Sequence, residues 1–102
     1  MKQNFKLHFN PQITVDLQKT VDYYQRKTGN HQLGKRFVKT AKKELKQLKT
    51  TALHYQIRYK TIRFLPISDF PFVAHYSIDE KNKIVHIEAL FHTAQENENI
   101  FN

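Results

Sequence analysis

The chain has no cysteine among its 102 residues, so it can build neither a disulfide framework nor a thiolate metal site. That fits a reducing cytoplasm, the location expected for it. Glycine and proline are scarce, two and three residues, which leaves little material for a flexible linker. No apolar run approaches the roughly 18 residues that cross a bilayer. Met1-Lys2-Gln3-Asn4 leads straight into alternating polar and apolar residues, so neither export nor membrane association is expected. Acidic residues are also few: nine Asp and Glu stand against seventeen Lys and Arg, a net charge of +8.

What remains is the material of one folded domain, 1–102, with 39% hydrophobic and 13% aromatic residues. A chain of this size buries about 60–65% of its unfolded surface around a single core. The charge is unevenly spread. Up to Lys60 there are fourteen Lys and Arg against Asp16, Asp22 and Glu44, whereas from Thr61 onward three bases face six acids. A basic surface of this kind favours a polyanion or an acidic protein segment through counterion release and steering, or serves solubility alone.

Hydrophobic period divides the chain into elements. Phe5, Leu7 and Phe9 alternate with Lys6 and His8, so Asn4 to Phe9 reads as a strand. Asn10-Pro11 supplies a helix N-cap and a first helical residue, and Ile13, Leu17, Val21 and Tyr24 follow at helical spacing to about Lys27. Thr28-Gly29 closes that helix. A second runs from about Asn30 or His31 to Lys49, with Leu33, Phe37, Ala41, Leu45 and Leu48 on its apolar stripe. Lys35, Lys39, Lys42, Lys46 and Lys49 share a separate stripe, within about 80° of arc at 100° per residue. After a turn from Thr50 to Leu53, Tyr55 to Tyr59 and Thr61 to Ile67 read as short strands, the second ending or bulging at Pro66.

The C-terminal third then alternates strictly on either side of a polar turn, which is the pattern of an antiparallel hairpin. If Ile78 pairs with Val85, Tyr76 falls opposite Ile87, Ala74 opposite Ala89 and Phe72 opposite Phe91, forming one apolar face. On the other face Ser77 meets His86, His75 meets Glu88, Val73 meets Leu90 and Pro71 meets His92. The order β-α-α-β-β-β, with a possible further strand, predicts an α+β fold: an antiparallel sheet with a two-helix hairpin packed on one face.

That order resembles the RelE/ParE superfamily of toxins from type II toxin–antitoxin modules, in particular its ParE-like branch, the plasmid stabilisation proteins. The resemblance rests on Gln56-Ile57-Arg58-Tyr59 through Ile62-Arg63-Phe64-Leu65-Pro66, on Phe70-Pro71-Phe72 with His75-Tyr76, and on Ile87-Glu88-Ala89-Leu90-Phe91-His92-Thr93. Asp22-Tyr23-Tyr24 and Lys35-Arg36-Phe37 in the helices are similar too, so the likeness spans about Phe5 to Thr93. It departs after the last strand, where Gln95 stands at a position that many members fill with arginine.

The resemblance implies a toxin held inactive by a cognate antitoxin, with no cofactor. Two targets follow from it. One is mRNA on the ribosome, cut by a metal-independent endoribonuclease; the other is DNA gyrase, poisoned without catalysis. A family member that only binds its partner or regulates transcription is the third possibility. RNA cleavage by 2′-hydroxyl attack needs a base, an acid and cations for the phosphate. Alternation along Thr61 to Ile67 is expected to turn Arg63 and Leu65 away from the core, putting Arg63 on the face of His75, Glu88 and His92 as the phosphate ligand. His92, at a strand end and at the position the family implies, is the expected acid or base. Arg58, His75 and the stripe residues Lys39, Lys42 and Lys46 are candidates for contact with nucleic acid or another target. Val73 and Leu90 are candidates for contact with an acidic antitoxin, which would lay an amphipathic helix or an added strand over them. His75, His86 and His92 are too widely spaced along their strands to converge on one ion, so no metal site is expected.

Overall fold

The computed structural model describes residues 4–93. Gln95, the departure from the family pattern, lies outside them. A first strand, β1 (Lys6–Phe9), leads into two long helices, α1 (Gln12–Thr28) and α2 (His31–Thr51). A single 3-10 turn, Ala52–His54, is followed by β2 (Ile57–Tyr59), β3 (Ile62–Pro66), β4 (Phe72–Asp79) and β5 (Ile84–His92). The helix boundaries follow local chemistry. The Asn10 side chain accepts from the Gln12 N–H at 2.9 Å, and Pro11 already has helical angles. Gly29, at φ 66°, takes the left-handed conformation that ends α1 and donates its N–H to the Gln25 carbonyl. Asn30 then caps α2 through the Gln32 N–H.

The five strands lie in the order β1-β5-β4-β3-β2. Neighbours from β5 to β2 are antiparallel, as expected, but β1 runs parallel to β5, with Leu7 beside Val85 and His8 beside His86. The helix pair is a crossover between β1 and the rest of the sheet, so β1 can return to the sheet only alongside a strand made much later. Both helices pack on one face. Phe37, Ala41, Leu45 and Leu48 from α2 and Ile13 and Tyr24 from α1 meet Leu65, Ile67, Phe72, Ala74, Tyr76, Val85, Ile87 and Leu90 of the sheet side. Gly34 lets the helices approach closely, because a Cβ there would lie 3.2 Å from a methyl group of Val21.

Tyr76 sits at the centre of this core with no exposed surface and donates its hydroxyl to the Ala52 carbonyl at 2.6 Å. Burial pushes its phenol well above the usual tyrosine range. The bond ties β4 to the end of α2. Tyr76→Phe leaves that carbonyl without its partner and is expected to cost about 1–3 kcal/mol in urea unfolding. An unchanged midpoint would show that another donor takes its place.

Candidate functional site

The expected pairing of β4 with β5 holds from Asp79 to Tyr76 and then shifts. Ser77 pairs with His86 and Tyr76 with Ile87, but His75 pairs with Ala89, Ala74 with Leu90, Val73 with Phe91 and Phe72 with His92. Glu88 is the extra residue of a bulge. Because side chains alternate, one inserted residue exchanges the faces of everything after it. His75 therefore does not pair with Glu88, Ala89 and Phe91 leave the helix side, and Leu90 and His92 join it. Leu90 packs in the core at 5% exposure, its N–H held by the Asp16 carboxylate of α1 at 2.9 Å. His92, half-buried, has its ring 5.1 Å from that of Phe72 and 6.3 Å from that of Tyr23.

Arg63 is likewise turned from the face expected for it. It pairs with Tyr76, and its neighbour Leu65 pairs with Ala74 in the core, while Phe64 takes the far face beside His75. The guanidinium of Arg63 donates to the Tyr55 carbonyl. Arg63 and His92 thus both belong to the helix side, four residues apart along β4 and on opposite flanks of it. Strand rise and spacing put their backbones about 16 Å apart. They do not meet on the face away from the helices, where the expected pair was to stand.

The face away from the helices carries an aromatic cluster. His75 stacks on Phe64 with ring centres 4.2 Å apart and touches Phe91 at 4.5 Å, and Tyr59 meets both Phe64 and His75 edge-on. The guanidinium of Arg58 lies 5.0 Å from the Phe64 ring centre, a cation–π contact. His75 is only 4% exposed, and its Nε2 has no hydrogen-bond partner among the described residues. Burial lowers its pKa to about 4. An imidazole that resists protonation in this way packs like a hydrophobic ring.

Val73 and Leu90, the expected antitoxin contacts, are 4% and 5% exposed and face opposite sides of the sheet, so neither offers surface in the free chain. Large apolar side chains that are exposed stand elsewhere: Phe9 and Val15 near the start of α1, and Leu53, Ile57 and Tyr59 along the β2 edge. Lys39, Lys42 and Lys46 are exposed on α2, as their stripe predicted. His86 meets a residue that the sequence reading did not connect with it. His8 of β1 brings its Nδ1 to 3.4 Å from that of His86, a proximity created only by the parallel β1–β5 pairing.

The chain is an α+β domain with a basic helical hairpin laid over one face of a mostly antiparallel sheet. The sequence matches the family model of the ParE toxin of the type II toxin–antitoxin system parDE over residues 7–97, and the chain belongs to that family. Membership implies a cognate antitoxin partner. Among solved structures it is similar to a chain of the chromosomal ParDE toxin–antitoxin system from P. aeruginosa. The identity is 19% and the TM-score 0.75, with 86% of this chain and 95% of that chain covered, a likeness of fold. No curated protein matches the sequence. Among the described residues no helix is long and apolar enough to cross a membrane.

Proposed function

We propose that this toxin acts in the cytoplasm by binding a protein target, DNA gyrase being one of the two targets that the family resemblance implies, and that it does not cleave RNA. The observation that supports this reading is the dispersal of the acid–base and phosphate-binding groups. Arg63 donates to the Tyr55 carbonyl, His92 packs against Tyr23 and Phe72 with its backbone about 16 Å from that of Arg63, and His75 is a buried ring whose pKa burial lowers to about 4. In-line attack by a 2′-hydroxyl needs such groups around one phosphorus. Binding without chemistry needs only surface. The β2 edge supplies apolar anchors, Leu53, Ile57 and Tyr59, beside the cations Arg58 and Lys60, a combination suited to an acidic protein face.

Expressed without its antitoxin, the chain is expected to arrest growth, with filamentous cells and accumulating broken DNA. His92→Ala is expected to arrest growth as strongly as the parent. Codon-specific mRNA cleavage by primer extension, abolished in His92→Ala, would instead establish the endoribonuclease. Normal growth of cells that make soluble, full-length protein would leave the chain as a partner-binding member only.

A further inference from the structure

We infer that His8 and His86 form a binding site for a divalent transition-metal ion, a two-imidazole clamp that ties β1 to β5. The two rings come from adjacent parallel strands, paired directly in register, and stand on the sheet face away from the helices. Their centres are 5.3 Å apart and their planes inclined by 70°, with Nδ1 of one 3.4 Å from Nδ1 of the other. An ion that holds two imidazole nitrogens at about 2.0–2.1 Å in tetrahedral geometry sets those nitrogens about 3.3–3.4 Å apart. The spacing present in the protein is therefore the bite of a chelate.

Without metal the two Nδ1 atoms stand within hydrogen-bonding distance, and the tautomers decide which one donates. When the ion arrives, the donating ring shifts its proton from Nδ1 to Nε2, and both Nδ1 atoms become ligands. Imidazole donors select Zn²⁺, Ni²⁺ or Cu²⁺ over the hard cations Mg²⁺ and Ca²⁺. The Asp79 carboxylate interacts electrostatically with His86, which favours a cation there. Both of its oxygens accept hydrogen bonds from Asn82, however, and among the described residues no group of three potential ligands gathers. Water completes the coordination. The consequence is mechanical. The ladder of β1 to β5 spans only four residue pairs, and the ion adds a tie between the first strand and the sheet. Occupancy raises the stability of the folded chain by mass action.

The test is a titration of the full chain with Zn²⁺ or Ni²⁺, read by thermal unfolding and by nitrogen NMR of the imidazoles. With the ion in several-fold excess over its Kd, Tm is expected to rise by about 4–8 °C. The Nδ1 resonances of His8 and His86 should move while those of His31 and His54 do not. The rise should disappear when a chelator removes the ion. His8→Ala and His86→Ala should each abolish it, and His31→Ala should leave it intact. His8→Asn, at an exposed edge position, serves if His86→Ala fails to fold. The inference is overturned if millimolar metal leaves Tm unchanged, or if the rise survives in the variant lacking both rings.

Discussion

Phe37→Ala is expected to lower the free energy of unfolding by about 3–5 kcal/mol, a loss that leaves a domain of ordinary stability barely folded. Phe37 has no exposed surface and is the ring through which α2 meets the sheet. Its centre is 5.2 Å from Phe70, 5.1 Å from Phe72 and 6.3 Å from Tyr24, so truncation removes one member of a cluster that joins both helices to the start of β4. The neighbours are themselves large and mutually packed, which limits collapse into the space left behind. Urea unfolding followed by circular dichroism checks the prediction. A loss below about 1 kcal/mol would mean that the core repacks around alanine, contrary to the cavity cost normal for a buried aromatic ring.

Acid should destabilise the protein in a window set by His75. In the unfolded chain this imidazole takes up a proton as pH falls through 6.5, whereas in the folded protein burial keeps it neutral to about 4. Between those values the unfolded state binds more protons, so stability falls as pH falls. The contribution is fully present above 6.5, and below about 4 this residue removes nothing further. The whole window is worth about 3 kcal/mol at 1.36 kcal/mol per pH unit. His75→Leu should flatten the profile across it. Asp79, whose carboxyl is held below the usual range by hydrogen bonds from Asn82, contributes stability that is lost only at more acid pH. A pH profile that is as steep in His75→Leu as in the parent would assign the acid limb to other groups.

The elements themselves were legible because each carries its own signal. Asn10-Pro11, Thr28-Gly29 and the 3.6-residue stripe through Phe37, Leu45 and Leu48 bounded the helices to within a residue or two. The pairing of Ile78 with Val85 followed from the turn. The faces beyond it did not, because Ile87-Glu88-Ala89-Leu90-Phe91 is apolar on both parities after the glutamate. The alternation therefore reads equally well with or without a bulge, and the bulge decided where His92, Leu90 and Phe91 point. Arg63 was misplaced for a related reason. Ile62, Phe64 and Leu65 are all apolar, and only the partner strand chooses between the two parities. The meeting of His8 with His86, and of Asp16 with the Leu90 N–H, depends on long-range pairing that no local pattern encodes.

The parallel pairing of β1 with β5 also sets a schedule for the nascent chain. His8 and His86 are 78 positions apart, so β1 has no strand to join until almost all of the described domain has been translated. At about 5–20 residues per second the ribosome takes roughly 4–16 s to cover that interval. The helix pair can form meanwhile, since its contacts are local, but it has no sheet to cover. A polypeptide wired in this way has no complete sheet during most of its own synthesis, which gives a partner already present in the cell time to reach it as it folds.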